Sequence, residues 1–465
     1  MRNKPAQTFV MMGIIVATLL FMHLLPQLSL ADTELRSVDI LSDVVPQVID
    51  IYGVEEEDDE KPLSGIAALT TTPQTEAEPE AEPEPVSKRP LPKGLTPIQD
   101  FSDGTSGGMA AFYDMLRSAD SLDRPVRVAY FGDSFVEGDI LTSELREQLQ
   151  QRFGGGGAGW VDCGPTTNSN RPTVKVHTSG FTSHSVMEKK TFSANVQGIS
   201  QRYFTVDGSA SLTLGGTKWK KHLGSWDRAI LYFKTNGGMT IQGVPDADGG
   251  QTFRPASSST VQKVDLTGNM GKVRWNVSGA SPRDIFYGAS IETEKGVVVD
   301  NFSMRGCSGK TLTNIPEGTL MSFAQVRPYD LIIVHYGLNV AGPKTTETFG
   351  RNYKGQMTKV IQMFRRCFPQ ASILVVGVPD RDQRTADGIK TIKGVDIIMR
   401  NQKELAQEQK VAFYSMYDAM GGKNGMSSFV KKGWASKDYT HISLKGGDHL
   451  GRKLFDALMY GYGED

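Results

Sequence analysis

The chain has 465 residues, of which 38% are apolar and 22% are charged, as is ordinary for a folded soluble protein. At about 150 residues per domain, this length predicts two or three structural units. Lysine and arginine (51 together) balance aspartate and glutamate (52 together), which argues against a nucleic-acid-binding protein, because such proteins gather a basic excess on one face.

Residues 1–31 have the layout of a secretory signal peptide or a membrane anchor. Arg2 and Lys4 precede an apolar run from Phe9 to Leu25, and Ser29–Ala31 supplies the small residues that a signal peptidase reads. The run is long for a signal peptide and slightly short for a membrane-spanning helix of about 20 residues, so cleavage and retention both stay open. Basic residues in front predict that the rest of the chain is periplasmic or otherwise extracytoplasmic, and the retained form would be anchored to the inner membrane.

Residues 32–94 have the composition of a disordered linker. An acidic run from Glu55 to Glu60 is followed by Glu-Ala-Glu-Pro repeats between Glu76 and Pro85. Proline keeps the backbone extended and like charges repel each other, so this stretch cannot form a hydrophobic core. It is expected to hold the folded remainder away from a membrane.

The folded remainder is predicted to be an α/β domain, residues 95–164 and 300–465. Three near-continuous apolar runs are typical of strands buried on both faces of a parallel sheet. Helical patterns alternate with these strands, which predicts a helix-flanked, mostly parallel sheet. The strands are Arg127–Phe131, Leu331–Tyr336 and Ile373–Val378, and the helices are Leu141–Phe153, Thr346–Phe368, Thr391–Gln409 and Lys445–Tyr460.

An all-β insertion, residues 165–299, is predicted to interrupt this domain. The stretch is rich in Thr, Ser, Gly and Val, and glycine-containing turns separate its short strand patterns. Regularly spaced short strands favour a β-sandwich or jelly roll. The strand patterns are Ala210–Leu214, Ala229–Lys234, Thr260–Leu266 and Lys272–Val277.

Gly132–Ser134 follows the first predicted strand directly, at the sheet edge where open α/β folds bind ligands. The same tripeptide also forms ordinary turns. A serine nucleophile needs an adjacent base. His441 closes Asp438–His441, a spacing that lets a carboxylate hold the imidazole, whereas His335 in a strand and His449 in a helix are interpreted as structural.

Two further segments could supply hydrogen-bond donors to an oxyanion. Asn339 follows the strand Leu331–Tyr336 and therefore emerges at the same edge as Ser134. Gly306, after another strand-like segment, can bring a backbone N–H close to a substrate. Each of these segments also fits an ordinary loop.

Taken in order, these pieces resemble the four sequence blocks of the SGNH (GDSL-type) hydrolase family. Gly132–Ser134 resembles the first block and Gly306 the second. Gly337–Asn339 resembles the third and Asp438–His441 the last. The first block reads Gly-Asp-Ser-Phe, without the leucine of the family's GDSL name.

The resemblance implies a three-layer α/β sandwich and a serine esterase. Ser134 would be the nucleophile, His441 the general base, and Asp438 the residue that orients the histidine. The oxyanion hole would use the N–H groups of Ser134 and Gly306 with the side chain of Asn339. No metal and no cofactor is needed for this chemistry.

The insertion resembles the organisation of bacterial peptidoglycan O-acetylesterases and O-acetyltransferases, in which a carbohydrate-binding-like module interrupts the catalytic domain. The leading hypothesis is therefore removal of O-acetyl groups from a cell-envelope or extracellular polysaccharide. Acetyl transfer to a glycan, with a membrane acyltransferase as partner, is a second hypothesis, and non-catalytic polysaccharide binding is a third.

Two groups of residues outside the blocks have alternative interpretations. Trp219, Trp226 and Trp275 could stack on sugars, but core packing is expected for most of them. Asp380 and Asp382 follow a strand and could bind a metal ion, although loop carboxylates exposed to solvent are commoner.

Overall fold

The computed structural model describes residues 90–104, 107–164, 168, 171–188, 190–247 and 249–463, and two short N-terminal strands, β1 (Ser29–Leu30) and β2 (Thr33–Glu34), which pair antiparallel. The predicted signal or anchor run, Phe9–Leu25, and nearly all of the predicted linker lie outside the described residues. In the part of the chain that is described, no helix is long and apolar enough to span a membrane.

The remaining elements belong to one compact unit. Its strands are β3 (Gln99–Asp100), β4 (Val126–Gly132), β5 (Gly159–Val161), β6 (Lys175–Ser185), β7 (Arg202–Gly215), β8 (Trp226–Lys234), β9 (Thr240–Pro245), β10 (Gln251–Phe253), β11 (Gln262–Met270), β12 (Lys272–Ala280), β13 (Ile285–Glu292), β14 (Val297–Ser303), β15 (Leu331–His335), β16 (Ser372–Val376), β17 (Asp382–Thr385), β18 (Gly388–Thr391) and β19 (Ala412–Tyr414). Its α-helices are α1 (Met109–Arg117), α2 (Thr142–Phe153), α3 (Glu317–Val326), α4 (Glu347–Cys367), α5 (Lys393–Glu408), α6 (Met416–Ala419), α7 (Gly425–Lys431) and α8 (Leu444–Tyr462).

Six strands form the central sheet in the order β14-β4-β15-β16-β19-β3. The first five are mutually parallel, and only the edge strand β3 runs antiparallel to its neighbour β19. Parallel strands need helical crossovers, which the helices between them supply. The predicted mixed α/β architecture with a mostly parallel sheet is confirmed.

Helices cover both faces of this sheet. Val128 and Tyr130 of β4 belong to a core shared with α1, α2 and α8. Ala129 and Phe131, which alternate with them, belong to a core shared with α3, α4 and α5. All four side chains are buried, as the continuous apolar run in β4 predicts for a strand between two helical layers.

Nine strands of the insertion form a second sheet, in which β7 and β13 pair with strands on both sides. The sequence predicted a β-sandwich or jelly roll, and the pairing joins all nine strands into one hydrogen-bonded sheet. This sheet folds over on itself, because a Cβ on Gly243 in β9 would meet Leu266 in β11, which lies at the opposite end of the strand order. The enclosed space is a separate apolar core that contains Trp226 and Trp275.

The strand pairing shifts the two ends of the insertion from the expected residues 165–299. β5 (Gly159–Val161) already pairs with β13 of the insertion sheet. β14 (Val297–Ser303) pairs with β4 of the central sheet along its whole length. Composition does not show which of the two sheets these short β-segments join, because that is decided by long-range pairing.

Candidate active site

Three neighbouring strands bring the first three sequence blocks together. β4 lies between β14 and β15, with Gly132 opposite both Ser303 and His335. The chain after β4 carries Ser134, so this residue emerges between the two loops that follow the neighbouring strands. Parallel strands thus place the expected nucleophile between the expected oxyanion residues.

Ser134 lies within hydrogen-bond reach of the histidine of the last block. Its Oγ is 3.2 Å from His441 Nε2, and His441 Nδ1 is 2.7 Å from Asp438 Oδ2. The separation between serine and histidine is 307 residues, so only the fold brings them together. The arrangement is that of a nucleophile, a base and a carboxylate that orients the base.

The last-block loop (residues 435–442) is shaped by Asp438 itself. Its Oδ1 accepts the backbone N–H groups of Thr440 and His441, at 2.9 and 3.1 Å, and the hydroxyl of Ser436 at 2.6 Å. Tyr439 has a positive φ of 57°, which turns the chain back toward the start of α8. The sequence order Asp-Tyr-Thr-His therefore forms a tight turn that fixes carboxylate and imidazole side by side.

Asp438 remains ionised in this setting. Partial burial alone would raise its pKa, but hydrogen bonds from His441, Ser436 and the backbone of Thr440 hold that pKa well below the usual range. A charged carboxylate on Nδ1 keeps the proton on that ring nitrogen and leaves Nε2 free to accept one from the serine hydroxyl.

The first- and second-block loops each carry a backbone N–H without a partner in the described part of the chain. Among the described residues, the N–H groups of Ser134 and Gly306 make no hydrogen bond, so both are available to an oxygen in the cleft. Gly306 lies in the loop after β14 and has a φ of +73°, a conformation that suits glycine. Their use as an oxyanion hole stays a prediction.

The Asn339 side chain lies at the same edge of the sheet and contacts both neighbouring loops. Its Nδ2 donates to the backbone carbonyl of Cys307 at 3.0 Å, and a hydrogen bond from it lowers the pKa of Asp133. The amide therefore joins the first- and second-block loops, because the buried Asp133 carboxyl requires donors. A role for Asn339 in the oxyanion hole stays a prediction.

Asp133 is a buried carboxyl directly before Ser134. Its Oδ1 accepts the N–H of Phe135 at 3.0 Å, and its side chain is 1% exposed. Burial raises its pKa to about 7, against the lowering effect of hydrogen bonds and of the nearby His441. Its position in the first block thus brings a second ionisable carboxyl into the serine loop.

The insertion packs beside this cleft. Met187, half-exposed, lies with its Cε 3.4 Å from the position that a Cβ on Gly306 would occupy. Nearby, Thr311 Oγ1 donates to Gln201 Oε1 at 2.5 Å, and Arg202 Nη2 donates to the carbonyl of Ser303 at 3.1 Å. The chain after β6 therefore forms one wall of the site. No sequence motif predicted this contribution.

This architecture has counterparts among solved structures. The structure of a peptidoglycan O-acetylesterase aligns with 78% of this chain and 99% of its own, with a TM-score of 0.66 and 21% identity. The two proteins share a fold. The resemblance predicted from the sequence blocks is thereby confirmed at the level of the fold.

Two other solved structures align less well. A family two carbohydrate esterase from Cellvibrio japonicus covers 63% of this chain and 100% of its own, at a TM-score of 0.27 and 11% identity. A carbohydrate acetylesterase from Sinorhizobium meliloti covers 35% and 79%, at a TM-score of 0.26 and 17% identity. No protein-family model and no curated protein matches the sequence.

The two histidines interpreted as structural lie in packed surroundings. His335 is buried against Tyr130, whose hydroxyl is 2.9 Å from its Nδ1, and burial lowers its pKa to about 3. His449 stacks on Trp434 with ring centroids 4.4 Å apart. Neither takes the place of His441 beside Ser134.

The tryptophans considered for sugar stacking and the aspartates considered for metal binding differ in burial. Trp226 and Trp275 are core residues of the insertion, whereas Trp219 is 43% exposed. Asp380 and Asp382 are buried, and hydrogen-bond donors from the protein surround both carboxyls. In the described part of the chain, no three His, Cys, Asp or Glu side chains are arranged to hold a metal ion.

Proposed function

We propose that this protein is a serine esterase that removes O-acetyl groups from a cell-envelope or extracellular polysaccharide. The observation that carries the proposal is the contact of Ser134 Oγ with His441 Nε2, which is backed by Asp438. A shared fold with a peptidoglycan O-acetylesterase supports the choice of an acetylated glycan as substrate.

The proposed reaction consists of two acyl transfers, first from the sugar to Ser134 and then from Ser134 to water. Ser134 Oγ attacks the acetyl carbonyl carbon while His441 Nε2 takes the hydroxyl proton. The N–H groups of Ser134 and Gly306 hold the negative oxygen of the tetrahedral intermediate. His441 then returns the proton to the departing sugar oxygen, and a water molecule, activated by the same nitrogen, releases acetate from the serine.

Water, rather than a sugar hydroxyl, is proposed as the acceptor. The side chains of His441 and Asp438 are 42% and 48% exposed, so solvent reaches the base at the step that resolves the acyl-enzyme. A transferase must keep water away from that intermediate. The openness of the histidine side of the cleft therefore favours hydrolysis over acetyl transfer.

The test compares acetate release by the full-length protein and its Ser134→Ala variant on O-acetylated peptidoglycan and on a panel of acetylated polysaccharides. We expect release from at least one glycan by the wild type and none by the variant. A parallel reaction with added oligosaccharide detects transfer, and acetyl groups appearing mainly on the oligosaccharide would contradict hydrolysis. Equal release by both proteins would remove Ser134 from the mechanism.

The proposed site of action is the cell envelope. The N-terminal basic and apolar layout supports export, and the acidic, proline-rich residues that follow support a spacer. Fractionation of cells producing the full chain tests this, and recovery of the protein in the cytoplasmic fraction would refute it.

A further inference from the structure

Residues 380–382, after β16, connect the third-block loop to the last-block loop. Arg381 Nη1 donates to the carbonyl of Leu338 at 3.3 Å. The backbone N–H of Asp382 donates to the carbonyl of Tyr439 at 3.1 Å. This short segment therefore contacts both loops that bring functional side chains to Ser134.

The carboxyl groups of Asp380 and Asp382 face each other inside a set of donors. Asp380 Oδ2 accepts the N–H of Met426 at 2.8 Å, and Asp382 Oδ2 accepts the N–H of Ser427 at 2.8 Å as well as its hydroxyl. The other two carboxyl oxygens both approach Thr391 Oγ1, at 2.9 Å for Asp380 and 3.2 Å for Asp382.

One hydroxyl proton cannot serve both carboxyls. Thr391 Oγ1 accepts the N–H of Asn424 at 2.8 Å and has a single proton to donate. Its second carboxyl contact is a hydrogen bond only if that carboxyl carries a proton. Asp380 and Asp382 are 0% and 3% exposed, so two full negative charges there would be costly. Burial, with the charge of Asp382 adding to it, raises the pKa of Asp380 to about 7.

We propose that Asp380 and Asp382 share one proton and that the shared proton keeps the last-block loop, and with it His441, in place against Ser134. The inference rests on the proposed esterase function. Loss of the proton leaves two buried negative charges, which repel each other and loosen the segment that holds Tyr439. Both aspartates act through His441 and are positioning residues.

Other ionisable groups lie on the neighbouring elements and in the serine loop. Tyr417 of α6 interacts electrostatically with both carboxyls, and burial together with neighbouring carboxylates raises its pKa to about 12. On the hairpin β17–β18, Asp387 and Lys390 form an exposed ion pair at 3.0 Å. Asp133, whose pKa is also about 7, lies in the serine loop and must be separated from the pair by experiment.

The experiment is the pH profile of kcat for the full-length protein and for Asp382→Asn, whose amide replaces a protonated carboxyl. For the wild type we expect kcat on an acetyl ester to fall about ten-fold between about pH 6 and about pH 9 with KM unchanged, because displacement of a base lowers turnover. For D382N we expect kcat to change less than about two-fold over the same range. Rates of Ser134→Ala are subtracted as the background.

Two further variants test whether the aspartate pair causes the fall in kcat. Asp387→Asn makes the same substitution at an exposed position of the same hairpin and should keep the wild-type profile. Thr391→Val removes a hydroxyl that lowers the pKa of Asp380, so the fall in kcat should move to higher pH. A D382N enzyme that retains the wild-type fall, as expected if Asp133 causes it, would overturn the proposal.

Thermal unfolding of the inactive Ser134→Ala protein gives a readout that needs no activity. The folded pKa of Asp380 lies above its unfolded value, so the stability this group contributes is present at low pH and is lost as pH rises through about 7. D382N in the same background should lack that loss. Identical pH dependence of Tm in both proteins would refute the shared proton, whereas a wild type without hydrolytic activity would refute only the proposed function.

Discussion

Asp438 is the side chain on which the orientation of His441 depends. One carboxylate oxygen binds Nδ1 at 2.7 Å, while the other is held by Ser436 and by the backbone of Thr440. No second carboxylate on Nδ1 is present among the described residues. The serine-facing tautomer of the imidazole is therefore set by this single contact.

Asp438→Asn should lower kcat by about a thousand-fold with little effect on folding, because an amide no longer stabilises the imidazolium and can favour the wrong tautomer. The measurement is steady-state hydrolysis of an acetyl ester, with circular dichroism to verify the fold. The matched control is Glu147→Gln, which alters a similar carboxylate contact to His222 Nδ1 at 3.0 Å, away from Ser134. Comparable losses in the two variants would count against a specific role for Asp438.

Gly306→Ala tests the backbone donor beside Ser134. Its φ of +73° would strain an alanine, whereas the new Cβ would make only an ordinary contact with Met187. We expect kcat to fall about a hundred-fold as the N–H moves from the oxyanion position. Gly208→Ala carries the same kind of strain at φ +81° with nothing within 4 Å, and it should keep full activity. Unchanged kcat in G306A would remove this glycine from the oxyanion hole.

The residues of the candidate site divide into those that the sequence could predict and those that it could not. Ser134, Gly306 and His441 were predicted because each lies in a short block next to a strand or helix end. Met187 carries no such signal, and it reaches Gly306 only because the insertion folds back onto the second-block loop. The anchoring of Asn339 by a carbonyl also depends on long-range packing.

At the level of elements, the central sheet was predictable and the insertion sheet only partly so. Buried parallel strands are continuous apolar runs. The predicted ends of β4, β15 and β16 therefore agree with the observed ends to within about two residues. β6 was missed because it lies largely at partly exposed positions and its sequence is polar. β13 was missed because its sequence mixes apolar and polar residues without a clear strand pattern. It becomes a strand through pairing with β5, β7 and β8.

The loop that carries Trp219 is the part of the insertion best suited to meet a polymer. Lys220 binds Glu144 at 2.7 Å and His222 binds Glu147 at 3.0 Å, so the residues that directly follow the exposed indole fasten the loop to α2. An aromatic face held rigidly in solvent can stack on a sugar ring with little loss of conformational entropy.

Trp219→Ala should raise KM for an acetylated polysaccharide about five-fold or more while kcat/KM for a small acetyl ester stays unchanged, since about 1 kcal/mol of stacking would be lost. Phe349→Ala, at a similarly exposed aromatic residue on α4, is the control. Equal kinetics of W219A and wild type on the polymer would show that this loop does not present substrate.

At the level of the whole molecule, a buried ionic network joins the insertion to the central sheet. Glu292, at the end of β13, binds Arg127 of β4 at 2.6 Å and Arg327 at 2.7 Å. Arg327 in turn binds Asp300 of β14 at 2.6 Å. Burial alone would raise the pKa of Glu292, but the two arginines lower it to about 2. The two sheets are therefore coupled through charges that cannot be removed singly.

Glu292→Gln should destabilise the protein by about 3 kcal/mol, because it leaves the buried guanidinium of Arg127 without its anion and removes one of the two anions that Arg327 binds. Glu317→Gln, at an exposed ion pair with Arg366, should cost less than about 1 kcal/mol. Urea denaturation measures both. The stabilisation by Glu292 is expected to be complete above pH 4.5 and to disappear as pH falls through about 2. Equal stabilities of the two variants would contradict the coupling.

The central claim is that Ser134 is a nucleophile activated by His441. The most direct measurement is labelling of the full-length protein with a serine-directed fluorophosphonate, followed by peptide mass spectrometry. We expect a single adduct on Ser134, absent from Ser134→Ala and formed at least about a hundred-fold more slowly in His441→Ala. An unlabelled wild-type protein, or an adduct on a different serine, would contradict the account.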